Sequence, residues 1–190
     1  MVTLRLFIAI GLSPDVIEEI ARCQERLKRE VNVSVAWTDP KGIHLTLKFL
    51  GETDEARIPE IEERLRLAAH DTAPFALTLG RFGVFPSLAR PRVLWVGVDG
   101  EVQKLASLQR KVEQGMAALG FPAEDRPFSP HLTVGRVRPQ QRQGVAAIRP
   151  DVAGDVHPIP QPVTSMGLIQ SRLTPRGAIY TRLSDFPLHG

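Results

Sequence analysis

Residues 43–50 read Ile-His-Leu-Thr-Leu-Lys-Phe-Leu, and residues 130–136 read Pro-His-Leu-Thr-Val-Gly-Arg. In an extended chain, side chains at i and i+2 share a face about 6.6 Å apart. His44 and Thr46 then point one way while Leu45 and Leu47 point the other; His131 and Thr133 stand in the same relation to Leu132 and Val134. The leucines and valine can root each strand in a core. An imidazole and a hydroxyl on the opposite face need partners or water, because burying them unpaired costs stability. One such strand is read most simply as holding a structural histidine. Two on matching strands point instead to a shared water-filled groove.

Working outward, the same surroundings occur twice. Leu6-Phe-Ile-Ala-Ile10 lies over Leu94-Trp-Val-Gly-Val98 at an offset of 88, and Ile17, Ile20 and Val31 lie over Leu105, Leu108 and Leu119 at the same offset. The His-Leu-Thr strands are 87 apart. Strand, helix and His-Leu-Thr strand therefore form a repeated unit, at about 3–50 and 92–137, which predicts two facing lobes about a pseudo-twofold axis within a single bilobal domain, 1–190.

Local signals fill in the elements. Thr3 to Ile10 reads as a buried strand. Ser13-Pro14 opens a helix with Val16, Ile20, Cys23, Leu27 and Val31 on its apolar face. Ser34 to Thr38 is a short strand, and Ile43 to Leu50 a strand ended by Gly51. A helix follows from about Asp54 to Ala69, with strands at Phe75 to Phe85 and Arg92 to Val98. A third helix spans about Val102 to Leu119 and stops at Gly120. Leu132 to Val137 is a strand. Pro139 to Gly154 carries the weakest pattern, a short helix or a loop. Val163 to Leu173 and Ala178 to Leu183 form a closing hairpin. The fold class expected is α+β, with antiparallel sheets lining a central groove and helices outside.

Composition excludes several classes. The 190 residues carry 24 Lys and Arg against 21 Asp and Glu, with 43% apolar residues, which is an ordinary globular balance. No apolar run approaches the ~20 residues of a membrane span. The single cysteine, Cys23, closes no intrachain disulfide, so a reducing, cytoplasmic location is expected; on an apolar helix face it reads as a core residue. Arg outnumbers Lys 19 to 5. That suits phosphate recognition, and codon bias in a GC-rich genome explains it equally well. There is no His-Glu-x-x-His, Walker loop, Gly-x-Gly-x-x-Gly or nucleophile elbow. A metal shared by His44, His131 and a carboxylate is disfavoured, because the repeated partner is threonine, a poor ligand.

Two imidazoles on opposite walls, each with a hydroxyl, suit the opening of a cyclic phosphodiester. One histidine takes a proton from attacking water, the other gives one to the departing sugar oxygen, and the hydroxyls bond the non-bridging oxygens. No cofactor or metal is needed.

His44-Leu-Thr-Leu47 and His131-Leu-Thr-Val134 resemble the paired HxTx motifs of the 2H phosphoesterase superfamily, in particular its 2′-5′ RNA ligase-like branch, the RNA 2′,3′-cyclic phosphodiesterases. The resemblance runs nearly end to end, through Arg5-Leu-Phe-Ile-Ala-Ile10, residues 44–51, residues 130–136 and Ser171-Arg-Leu-Thr-Pro-Arg-Gly177. It implies hydrolysis of RNA 2′,3′-cyclic phosphate ends, tRNA halves included, or of nucleoside 2′,3′-cyclic phosphates, leaving a 2′-phosphate, with reversible 2′-5′ ligation in relatives. It implies His44 as proton donor and His131 as acceptor, a choice the internal symmetry leaves open, with Thr46 and Thr133 on the phosphate. Arg136 matches an arginine that follows the second motif, and contacts phosphate or base if a bulge or strand end brings it to the groove. Lys48 reads as a solvated strand-end lysine, with the groove mouth as the alternative, Phe49 as core, with base stacking as the alternative, and Trp37 and Trp95 as packing residues. His70, His157 and His189 read as surface residues. No membrane and no obligate protein partner is expected, and a monomer is the default. The rival reading is a non-catalytic RNA-end binding protein.

Overall fold

The structure is a computed structural model and describes residues 2–31, 33–138, 156–175 and 177–190. Strand β1 (Thr3–Ile10) buries Leu6, Ile8 and Ile10 in the main core. Helix α1 (Pro14–Glu30) starts where expected: the Ser13 hydroxyl accepts from the Val16 amide, and Pro14 takes the first helical position. Val16, Ile20, Cys23 and Leu27 are buried on one face. After the short β2 (Val35–Trp37) comes β3 (Leu45–Asp54), which passes through Gly51 instead of stopping there. Gly51 has φ 72°, and Leu6 pairs with Gly51 while Phe7 pairs with Phe49. Leu50 is thus the extra residue of a bulge, and glycine takes the left-handed turn that lets pairing resume.

Helix α2 (Ile58–His70) begins later than its pattern implies, because Glu55–Arg57 form a 3₁₀ turn capped by Asp54. Strands β4 (Phe75–Phe85) and β5 (Val93–Gly100), helix α3 (Val102–Ala118) and strand β6 (His131–Val137) follow. Gly120, φ 83°, lies just beyond α3. The expectation for Pro139 to Gly154 lies outside the described residues. The strand expected over Val163 to Leu173 is β8 (Ser165–Thr174), in a hairpin with β9 (Gly177–Pro187) as expected, and a further strand that the sequence did not suggest, β7 (Pro160–Val163), precedes it. Thr164 is where the chain changes sheets. The prolines of β7 are tolerated because it is an edge strand.

Two antiparallel sheets result, β3-β1-β8-β9 and β2-β6-β5-β4-β7. The helices are exchanged between them. α1 follows a strand of the first sheet yet fastens to the second: the Ser13 amide donates to Gln161 on β7, and Gln24 donates to the Val134 carbonyl on β6. α3 follows a strand of the second sheet yet packs on β3, beside α2, which lies against β8 and β9.

The internal correspondence is closer than the sequence offsets suggest. Ala9 pairs with Thr46 and Trp95 with Thr133, with a bulge at the next step of each ladder. The first strands therefore correspond at an offset of 86, not 88. Two residues are one full pleat, so the faces are unchanged. The helices correspond at 89: buried Val16, Glu19, Ile20, Cys23 and Leu27 map onto buried Leu105, Leu108, Gln109, Val112 and Met116. Ile17 is half-buried and Val31 caps the helix end, so neither belongs to the buried stripe.

Candidate active site

On β3 the alternation begins as expected. Ile43, Leu45 and Leu47 are buried in the core, while His44 and Thr46 are half-buried on the other face. It then breaks: Leu47 and Lys48 are buried in succession and Phe49 is exposed. Ile8 pairs with Lys48 but Ala9 with Thr46, so Leu47 is the extra residue of a bulge. A one-residue insertion turns every later side chain to the opposite face. Lys48 is accordingly neither a solvated strand-end lysine nor a groove-mouth lysine. Its ammonium lies in the core, donating to Glu113 Oε1 at 2.8 Å and to the Pro122 carbonyl at 2.9 Å. Phe49 is accordingly not core; it stands on the face of His44 and Thr46, its ring 5.9 Å from that of Phe7.

β6 repeats the device. Leu132 and Val134 are buried, Gly135 is buried directly after, and Arg136 is exposed. Leu94 pairs with Gly135 but Trp95 with Thr133, so Val134 is the bulge residue, 87 positions after Leu47. This bulge carries Arg136 onto the face of His131 and Thr133. The Val134 carbonyl accepts from the Thr38 amide at 3.1 Å and from Gln24 Nε2 at 2.7 Å. Gln24, buried on α1, also donates to the Thr38 carbonyl at 2.7 Å. Gln24 and Glu113 correspond at the helix offset of 89, and each grips a residue at or next to a motif bulge. Sequence reasoning singles out neither; a glutamine inside the apolar stripe of α1, next to Cys23, is the available signal.

Each imidazole is held from behind by the backbone two residues earlier. His131 Nδ1 lies 2.7 Å from the Ser129 carbonyl. A carbonyl only accepts, so Nδ1 carries the proton and Nε2 is the nitrogen left with a lone pair. His44 makes the corresponding bond to the Gly42 backbone. Aromatic edges fix both rings. Phe7 and Tyr180 meet His44 at 5.7 and 5.1 Å, Phe85 meets His131 at 5.2 Å, and Trp95 meets it at 6.4 Å. Trp95 therefore packs, as expected, but on the histidine face, stacked on Phe85 at 4.9 Å. Its indole lies on Gly83, where a Cβ would come within 2.3 Å of the ring, so only glycine fits. Trp37 is half-buried beneath Gly135. Burial holds the His44 pKa below its ordinary value; the bond to Gly42 opposes this, and the charge of Arg182 adds to it.

β3 and β6 run against each other where the two sheets meet, and both motifs point away from the helices. The remaining histidines lie elsewhere. His70 and His189 are exposed, and His157 Nδ1 bonds buried Glu19 at 3.0 Å. Among the described residues no cluster of three or more His, Cys, Asp or Glu is placed to hold a metal. Cys23 is buried, its thiol pushed up to about 11 chiefly by burial, which fits a core residue.

The family model described as the 2′-5′ RNA ligase superfamily matches residues 14–174. An RNA 2′,3′-cyclic phosphodiesterase of Aquifex aeolicus is 34% identical over 197 residues, covering 100% of both chains. One of Methanothermobacter thermautotrophicus is 34% identical over 185 residues, 97% of this chain and 98% of its own. Among solved structures, TT0787 of Thermus thermophilus superposes with a TM-score of 0.82 at 29% identity, covering 98% and 99% of the two chains. E. coli LigT complexed with 3′-AMP superposes at 0.76 with 28% identity over 100% of both. The chain belongs to the 2′-5′ RNA ligase superfamily.

Proposed function

We propose that this chain is an RNA 2′,3′-cyclic phosphodiesterase that works by paired general acid and base catalysis. The observation that carries the reading is the matched pair of motif strands, each with a bulge three residues after its histidine and an imidazole bonded to the backbone two residues before it. The names of the relatives from Aquifex and Methanothermobacter support the substrate class, and the 3′-AMP complex of LigT supports a nucleotide ligand.

In this mechanism the phosphorus of a 2′,3′-cyclic phosphate sits between His44 and His131. A water oxygen attacks phosphorus in line, and His131 Nε2 takes its proton. The bond from phosphorus to O3′ breaks, and O3′ takes a proton from His44, leaving a 2′-phosphate. Solvent then resets the two protonation states. Thr46 and Thr133 donate to the non-bridging oxygens as charge builds there, and Arg136 offers its guanidinium to the same oxygens. An RNA 5′-hydroxyl in place of water would form a 2′-5′ linkage by the same proton transfers. No metal or cofactor takes part. RNA ends, including tRNA halves, and nucleoside 2′,3′-cyclic phosphates are the substrates proposed, in the cytoplasm. No described helix is long and apolar enough to cross a membrane.

The test is ³¹P NMR of adenosine 2′,3′-cyclic phosphate incubated with EDTA-treated protein. Adenosine 2′-phosphate as sole product, at a rate unchanged by EDTA, is the expected result. Tight binding of RNA ends with no turnover of any cyclic phosphate would favour the RNA-binding reading instead.

A further inference from the structure

Gln24 is 2% exposed and sits in the apolar stripe of α1 with Cys23 and Leu27. An amide in such a stripe is stable only where its donors are used. Nε2 donates to the Val134 carbonyl and to the Thr38 carbonyl, each at 2.7 Å, which employs both its protons. The Thr38 amide donates to the same Val134 carbonyl at 3.1 Å. Thr38 is thus tied, through its N–H directly and through its C=O by way of Gln24, to one point on β6. A bulge leaves its extra residue outside the regular ladder, and Gln24 and Thr38 together take up the carbonyl it frees at Val134.

The two carbonyls that Gln24 holds lead to different walls of the groove. Val134 directly follows Thr133 on β6, in the second sheet. Thr38 directly follows β2, the strand paired with β6, and opens the crossing to β3 in the first sheet. That crossing is short and braced. The Asp39 carboxylate accepts from the Lys41 amide at 3.0 Å, the Gly42 amide donates to the Asp39 carbonyl at 2.8 Å, and the Ile43 amide donates to the Pro40 carbonyl at 3.2 Å. His44 comes next, its imidazole bonded to the Gly42 backbone. One end of the Gln24 clamp therefore lies six positions from His44, and the other three positions from His131.

We propose that Gln24 is a positioning residue: by fastening the crossing that carries His44 to the bulge beside Thr133, it sets the separation of His44 and His131. This rests on the cyclic-phosphodiesterase reading. Gln24 acts through the backbone, from the side of the walls that faces α1. In-line displacement needs the proton acceptor and the proton donor at fixed places on opposite sides of phosphorus, and a misplacement of about 1 Å costs on the order of 100-fold in rate. Binding of the ground-state phosphate is shared by hydroxyls and a guanidinium, and tolerates the same shift better. The clamp therefore belongs to the chemical step more than to substrate affinity.

The experiment uses Gln24→Met, which keeps the side chain's length and removes both donors, with adenosine 2′,3′-cyclic phosphate as substrate. Its kcat is expected to fall about 10- to 100-fold while KM changes by less than about twofold. Added to His44→Ala, the same substitution is expected to cost less than about threefold more, because no pair of imidazoles is left to hold apart. Gln24→Asn, which retains the donors on a shorter stem, is a milder second variant and should show the same split at smaller size. An unchanged kcat, or a full additional loss on top of His44→Ala, would overturn the proposal. Amide hydrogen exchange supplies a readout that needs no turnover: Thr38, Gly42 and Ile43 should exchange about tenfold faster in Gln24→Met, with the amides of β1 and β8 unchanged. Absence of turnover by the unaltered protein would remove the enzymatic reading alone. Exchange would then decide, and equal rates at those three amides, or a uniform acceleration along the whole chain, would count against the clamp.

Discussion

Phe49 and Arg136 are structural counterparts: each stands five residues after its motif histidine and two beyond a bulge residue that turns it onto the histidine face. Both bulges are held from behind by side chains of exchanged helices, Glu113 through Lys48 and Gln24 through the Val134 carbonyl. The two polar faces are thus built by one device used twice.

Arg136 is expected to act on phosphate. Arg136→Ala should lower kcat/KM for a cyclic phosphate about 100-fold, within the range of a lost charged hydrogen-bonding pair. Arg136→Lys should recover little, since an ammonium lacks the two-pronged geometry. Steady-state kinetics check this, and full rescue by lysine would show that charge alone matters.

The pH profile should carry the mark of His44. Its pKa lies below the ordinary imidazole value, through burial first and the charge of Arg182 besides. A general acid must be protonated, so kcat/KM should fall as pH rises through that lowered pKa, placing the alkaline limb below about 6.5. Arg182→Gln removes a neighbouring positive charge, raises the His44 pKa and should move this limb to higher pH. Were His44 the base, the acid limb would move up instead. The pH dependence of kcat/KM for both proteins separates the two assignments.

The Lys48–Glu113 pair should hold the first motif strand in place. Lys48 is 1% exposed at its side chain and Glu113 22%. Lys48→Met leaves Glu113 without its cation and should cost about 2 kcal/mol of stability. Adding Glu113→Gln should recover part of this, because the stranded charge is gone. Urea denaturation of the single and double variants measures both effects. Equal stability of Lys48→Met and the unaltered protein would mean that the pair contributes nothing net.

Hydrophobic period and end signals make much of the fold readable. Ser13-Pro14 marks the start of α1, Gly120 the end of α3, and the His-Leu-Thr pattern the two faces around His44 and His131. The bulges are not readable, since strict alternation continues through Leu47 and Val134 in the sequence and only strand pairing reveals the extra residue. Alternation consequently puts Lys48 and Phe49 on each other's faces, while Arg136 needs a bulge that the ladder supplies. Gln24, Glu113, Tyr180 and Arg182 act across long sequence separations that no local pattern encodes. β7 is hidden because alternating prolines argue against a strand unless it is known to lie at an edge.

The most direct test of the central claim is the single-turnover rate on adenosine 2′,3′-cyclic phosphate for the unaltered protein and its His44→Ala and His131→Ala variants, each checked for an unchanged fold by circular dichroism. Each single loss should slow the reaction by about 10²- to 10⁴-fold, the scale of one proton-transfer group, and the doubly substituted protein should be little slower than either. An undiminished rate in either single variant would contradict the paired-histidine mechanism.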